Sequence, residues 1–425
     1  MNTLVKNSPA VIIVGLPWPR SGTARVMQNQ IDFYRSHGYL TVFVCVPIHC
    51  GWIEGNPEWD DIKEGIQELG ADYVAMAPIN YQRFITTKYT AWVRHAFRGT
   101  ALDWVVNTAK SAQLPDDFIQ FIRSLPVALM HVNHVFTLGF AQRLLRKVQS
   151  GGRVPMILET HDVQSHLLEE TKRINPWTHR LDASQRLLQS ELNLLNQARV
   201  LVHCSVDDYN FFKERLRKKQ HVLALPTIDE SFISAVKAVS LTSLDSIDLL
   251  FVGHYTDPNL RAIQWFFEQV WPLIADRGYQ LKIIGAIDTL ARESLPEMYG
   301  AFSSHFVGPV ADLVPHYHVA RCVIAPMVSG TGISIKTIEA LGLGKPFVGT
   351  SKAFRGMPME RIERAGLQAH DAPQAFADAI ARALSNEPLA AAASRTAYND
   401  LFSKRAAFSS RDKALELATR TFSSN

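Results

Sequence analysis

The residue types best suited to chemistry cluster in Ser329-Gly330-Thr331-Gly332-Ile333-Ser334-Ile335-Lys336-Thr337-Ile338-Glu339. Gly330 and Gly332 free the backbone to take positive φ and to approach a ligand closely. In the segment that follows, Ile335, Ile338 and Leu341 recur at helical spacing, so its first turn presents unpaired N–H groups and the positive end of a dipole. Such a corner suits a phosphate. Lys336 adds a cation. Glu339 lies roughly 100° round the helix from the centre of the apolar stripe, where a carboxylate is able to accept two sugar hydroxyls; the alternative is an ordinary solvated helix glutamate. A second group stands at two apolar strand ends, where Val127-Ala-Leu-Met130 leads into His131-Val-Asn133-His134 and Met156-Ile-Leu158 leads into Glu159-Thr-His161-Asp162. The carboxyl ends of strands line the ligand crevice of an open parallel sheet. On position alone, each histidine is more simply a hydrogen-bonded structural residue.

These groups need strands and helices to hold them. The glycine turn joins the apolar runs Cys322–Pro326 and Phe347–Thr350, which makes a β-turn-α-β unit. The chain opens in the same way: a strand over Val11–Gly15, the turn-rich Leu16–Gly22, a helix from about 23 to 36 stopped by Gly38, and a strand over Thr41–Val46. Gly15 and Gly22 do not make a G-x-G-x-x-G, which argues against a nicotinamide dehydrogenase. A long helix over 181–202 runs into the strand Val200–His203, and Ser205 is placed to cap the next helix. His221–Pro226 reads as the last strand of a first domain and 227–246 as a linker. Strands follow at Ile247–Gly253, Leu281–Gly285 and His305–Gly308, with an amphipathic helix over Asn259–Ala275 and an alanine-rich helical tail from about Pro373. Alternating strand and helix, twice over, predicts two parallel sheets.

A chain of 425 residues is too long for one ordinary core and suggests two domains. Its 47% hydrophobic and 20% charged residues describe a soluble globular protein, and a net charge of +4 is too small to argue for nucleic acid. Cys45, Cys50, Cys204 and Cys322 show neither CxxC nor Cys/His metal spacing, and read as buried thiols in a reducing, cytoplasmic setting. No run approaches the roughly 18 apolar residues of a membrane span, so any membrane contact is expected to be peripheral, at the inner face. Aromatic and basic residues mix from Tyr81 to Trp104 (Arg83, Lys88, Trp92, Arg94 and Arg98 among them). Such a helix is able to dock on an anionic surface or a lipid-linked acceptor; it also fits an aromatic core contact with a solvated basic face.

Pro326, the Ser-Gly-Thr-Gly turn, Lys336, Glu339-Ala340, Gly344-Lys345-Pro346 and Val348-Gly-Thr350 resemble the nucleotide-sugar site of GT-B glycosyltransferases, specifically the retaining family 4 group. Phe251-Val-Gly253, Asn259, Trp265-Phe266, Ile283-Ile-Gly285, Val307-Gly308 and Asp312-Leu313 extend the likeness. In the first domain it is looser, resting on Ser21-Gly22, the His131/His134 strand end, Thr160-His161-Asp162 and the Glu191–Asp207 region. The resemblance implies an α/β chain of GT-B class, with two doubly wound Rossmann-like domains facing an interdomain cleft. Residues 1–226 would bind the acceptor and 247–402 the nucleotide sugar, with a C-terminal helix over 403–425 packing back on the first domain. It implies donor contacts at Gly22, Gly253, Ser329, Gly330, Thr331, Gly332, Ile333, Lys336 and Glu339, the last on the nucleotide ribose. It also implies a first-domain histidine facing the transferred sugar: His134 or His131, with Asn133 and His161 as neighbours of unsettled register.

Two departures stand out. The first acidic residue of the family's Glu-x7-Glu motif falls on Thr331, and the Arg and Lys that many relatives carry after the second domain's first strand are replaced by His254-Tyr-Thr-Asp-Pro-Asn259. Arg261 is offset, leaving Lys336, the turn N–H groups and either Arg20 or Arg25 to meet the diphosphate. The expected activity is transfer of a sugar from a nucleoside diphosphate sugar to an acceptor hydroxyl on a bacterial-type surface glycan, glycolipid or similar molecule. No cofactor or metal is called for. Two other readings stay open: a nucleotide-sugar epimerase of the same fold, and a catalytically silent nucleotide-sugar-binding subunit.

Overall fold

The computed structural model describes residues 8–16, 22–46, 57–78, 101–148, 154–167, 183–239 and 245–420. The chain divides into two compact units, Met1–Pro226 with Phe408–Asn425, and Thr227–Ala407. The first holds a seven-stranded parallel sheet of β1 (Ala10–Gly15), β2 (Leu40–Cys45), β3 (Tyr73–Met76), β4 (Val127–Asn133), β5 (Met156–Glu159), β6 (Val200–His203) and β7 (Gln220–Leu223), in the order β3-β2-β1-β4-β5-β6-β7. Every residue of β1 and β2 is buried. Their near-continuous apolar sequences, AVIIVG and LTVFVC, suit strands covered on both faces.

The second unit repeats the plan with five parallel strands: β8 (Ile247–Val252), β9 (Leu281–Ile284), β10 (Phe306–Gly308), β11 (Ala320–Ala325) and β12 (Phe347–Gly349), in the order β10-β9-β8-β11-β12. In each unit the strand order reverses beside the opening strand, between β1 and β4 and between β8 and β11. Ligands of doubly wound sheets bind at the carboxyl ends of the strands on either side of that switch point.

Several local expectations are refined. Residues 227–246 do not form a plain linker, because Asp229 caps a helix over Glu230–Ala238 by accepting the Ser231 N–H at 2.8 Å. The helix expected over Asn259–Ala275 is an α-helix only from Asp257 to Trp265, followed by a π-turn at Phe266–Val270 and a 3-10 turn at Trp271–Leu273. Pro272 is the cause: its ring and missing N–H break the i→i−4 pattern and widen the preceding turn. Ile263, Phe266, Phe267, Val270 and Ile274 are nevertheless all buried. Ser205 caps its helix, its Oγ accepting the Asp208 N–H at 3.3 Å.

Candidate functional site

In the second unit the chain leaves β11, turns through 329–334 and enters the helix Ile335–Gly342. Gly330 has φ +123° and Gly332 φ +63°, values that side-chain-bearing residues rarely adopt. The Ser329 Oγ is buried with no hydrogen-bond partner. Ser334 and Thr337 pin the turn from behind: the Thr337 hydroxyl lies 2.9 Å from Ser334 Oγ and 2.7 Å from the Ala353 carbonyl.

Lys336 points to the end of β8. Its Nζ donates to Asn259 Oδ1, lies 3.9 Å from Met327 Sδ and stands 4.6 Å from the centre of the Phe251 ring. Asn259 is oriented by donating through Nδ2 to the His254 carbonyl at 2.9 Å. Burial, with the positive charge of Arg355 second, pulls the Lys336 ammonium down to about 7, against the opposing pull of Glu339. Glu339 accepts from the buried Tyr317 hydroxyl at 3.3 Å, which orients one carboxylate oxygen. Gly253 follows β8 and lies against Gly285: a Cβ on Gly285, whose φ is +113°, would sit 2.2 Å from the Gly253 carbonyl oxygen. Arg261 pairs with Asp257 on its own helix at 2.6 Å.

In the first unit the strand ends converge on a buried polar network. His131 lies inside β4, and its Nε2 donates to Glu159 at 3.2 Å while Nδ1 accepts from Tyr34 at 2.8 Å. Burial lowers its proton affinity despite Glu159. Asn133 Oδ1 accepts from Gln30 at 2.6 Å and His161 at 2.8 Å, and its Nδ2 donates to Gln30 Oε1 at 2.9 Å. Glu159 also accepts from Gln30 at 2.8 Å and from both terminal nitrogens of Arg411 at 2.8 and 3.2 Å. Burial works against its ionisation, yet Arg411 and His131 hold its carboxyl well below the usual range.

His134 and His161 are different. Among the described residues they are the two non-glycine positions with positive φ, +63° and +62°. Their rings stack with centroids 4.0 Å apart and planes 6° from parallel. Positive-φ backbone at a non-glycine residue costs about 1–3 kcal/mol and gathers at functional sites. Burial lowers both, His161 to about 4 and His134 well below its usual value. The pair is therefore neutral at pH 7, able to offer a hydrogen bond without bringing charge.

The structure thus brings together Gly253, Ser329, Gly330, Thr331, Gly332, Ile333, Lys336 and Glu339 in one unit, and His131, Asn133, His134 and His161 in the other. Gly22 opens the helix Gly22–Ser36 that follows β1, at the switch point. Arg20, Ser21 and the aromatic-basic stretch 81–100 lie outside the described residues. Sequence reasoning missed Arg355, Tyr317, Gln30, Tyr34 and Arg411. A fully buried glutamine on a helix is a readable oddity in hindsight, whereas Arg411 lies 252 residues from Glu159 and gives no local signal.

Solved structures share this architecture from end to end. Sucrose-phosphate synthase from Thermosynechococcus elongatus superposes with a TM-score of 0.62 at 14% identity, over 98% of this chain and 100% of that one. A glycosyltransferase from Rickettsia africae gives 0.60 at 12% identity, over 97% and 99%. Anabaena HepE, solved with UDP and glucose, gives 0.58 at 13% identity, over 96% and 99%. The fold is GT-B. Within this GT-B chain, residues 246–386 match the family described as Glycosyl transferases group 1, a stretch that contains the whole glycine-turn site and ends before the C-terminal return. No curated protein sequence matches the chain.

Proposed function

We propose that this protein is a retaining glycosyltransferase of the family 4 kind, moving a sugar from a nucleoside diphosphate sugar to an acceptor hydroxyl. One observation carries the reading: a positive-φ glycine turn, a half-buried lysine and an oriented glutamate meet at the β8/β11 switch point, within the stretch that matches the group 1 family. Glu339 accepts two ribose hydroxyls. The turn N–H groups, the helix dipole and Lys336 stabilise the charge that develops on the leaving diphosphate, where fixed donors act most strongly. The neutral His134/His161 pair contacts the transferred sugar.

Uridine is the first base to try, because HepE was solved with UDP-glucose. The acceptor proposed is a surface glycan, glycolipid or similar hydroxyl compound, reached by peripheral membrane contact in a cytoplasmic protein. No helix among the described residues is long and apolar enough to cross a membrane. No metal is part of the proposal. Pure protein incubated with UDP-, GDP- and ADP-sugars, with and without a polyol or lipid-linked acceptor and with EDTA, tests it. The expected result is EDTA-resistant release of nucleoside diphosphate that rises with acceptor, and a product of unchanged anomeric configuration by NMR. Epimerised sugar without acceptor, or nucleotide binding without turnover, overturns it.

A further inference from the structure

We propose that Arg355 is the second cation of the diphosphate site, and that it makes the glycine turn prefer a nucleoside diphosphate to a monophosphate. This rests on the donor reading above. The segment after β8 supplies no cation to the turn: Arg261 is tied to Asp257. Arg355 comes instead from the segment after β12, behind the 3-10 turn Ser351–Phe354. Its Nε donates to the Thr331 carbonyl at 2.9 Å and one terminal nitrogen to the Lys352 carbonyl at 3.0 Å. The guanidinium lies flush on the turn. A Cβ built on Gly330 would come within 3.3 Å of both its Nε and Cζ, so glycine there admits the arginine as well as the backbone bend. Thr337, fully buried, fixes the approach by holding the Ala353 carbonyl.

Two cations consequently act on one turn, beside the positive end of the helix Ile335–Gly342. Among the described residues Lys336 forms no ion pair; its Nζ meets an amide oxygen, a thioether and a ring face. Arg355 is close enough to depress the lysine's proton affinity. An anion placed between them reverses that repulsion. Backbone N–H groups and one ammonium suffice for a single phosphate, and a planar guanidinium with several donors suits the second. The competing role is mechanical, with Arg355 merely bracing the turn through the Thr331 carbonyl.

Calorimetry of UDP and UMP, then GDP and GMP, with the full-length protein and its Arg355→Gln and Arg355→Lys variants separates these roles, with thermal melting as the fold control. Loss of a charged hydrogen bond predicts that Arg355→Gln weakens the diphosphate about 10- to 100-fold and the monophosphate far less. Arg355→Lys should recover part of the preference, and the salt dependence of diphosphate binding should flatten in Arg355→Gln alone. Equal losses for diphosphate and monophosphate in both variants, or unchanged diphosphate affinity in Arg355→Gln, overturn the inference and leave the donor reading standing. Wild-type protein that binds neither diphosphate overturns the donor reading itself.

Discussion

His131 and His134 stand three residues apart on one strand end and meet opposite surroundings. Both ring nitrogens of His131 are engaged, by Glu159 and Tyr34, inside the core; His134 sits past the strand on strained backbone, stacked on His161. The His131→Ala variant should therefore lose stability, by about 1–3 kcal/mol for each buried partner left unsatisfied, as read by urea denaturation. The His134→Ala variant empties a buried, stacked position and should also lose some stability, but it should keep its donor dissociation constant while kcat falls, because a contact that strengthens with charge at the anomeric carbon acts on the transition state. Normal turnover in His134→Ala removes it from the mechanism. Lys336 gives a pH prediction at the same scale. Its ammonium is pulled down to about 7 in the free protein, and a bound diphosphate favours the charged form, so binding takes up a proton. Donor affinity is insensitive to this group below pH 7 and falls as pH rises from about 7 towards the higher pKa of the complex. Calorimetry at pH 8 in buffers of different ionisation enthalpy should count most of one proton taken up. The Lys336→Met variant should take up none; equal uptake in both proteins would assign the proton elsewhere.

The elements were largely legible because fully buried parallel strands write themselves as apolar runs, and because glycine, serine and proline punctuate them. β1, β8 and β11 lie within a residue or two of their expected ends, and the turn at 329–334 was readable from two glycines and the helical spacing behind it. What stayed hidden depended on tertiary partners. The helix Glu230–Ala238 lies in a stretch of small and polar residues where composition favours a linker, and its Asp229 cap is a weak local signal. Arg355 follows a short 3-10 turn whose sequence does not reveal that it folds back on Thr331. Gly285 shows how tightly these elements meet: its φ is +113°, and an added Cβ would fall 2.2 Å from the Gly253 carbonyl oxygen, which leaves no room for a methyl group. Gly285→Ala should cost at least about 1–3 kcal/mol from backbone strain alone and push the ends of β8 and β9 apart. A lower melting temperature together with weakened nucleotide affinity is expected. Unchanged melting would show that the strand ends yield freely.

At the scale of the molecule, the chain ends by returning to the unit it began in. The helix Lys404–Thr419 carries Phe408 onto Phe33, with centroids 5.3 Å apart, Asp412 to His37 at 2.8 Å, and Arg411 into the carboxylate of Glu159. Arg411 is 3% exposed and Glu159 fully buried. That carboxylate also holds Gln30 and His131, and Gln30 holds Asn133, which holds His161. The last helix is thus coupled through one ion pair to the strained histidine pair. Removing one partner of a buried pair strands the other charge, so Arg411→Ala should destabilise the protein by about 3–5 kcal/mol. The sign of its pH dependence separates electrostatics from packing. In the wild type Glu159 is held well below the usual carboxylate range, and its contribution is present above the unfolded pKa and lost only as pH falls through the lower folded one. Without Arg411, burial prevails and the folded pKa rises above the unfolded value, so the variant pays a penalty that grows as pH climbs from about 4.5. The stability gap between wild type and Arg411→Ala, measured by urea unfolding, should accordingly be smaller at pH 5 than at pH 7.5, as a proton on Glu159 or His131 replaces the missing guanidinium. A gap of equal size at both pH values would mean that Arg411 acts by filling space, and that the return helix is not electrostatically coupled to the histidines.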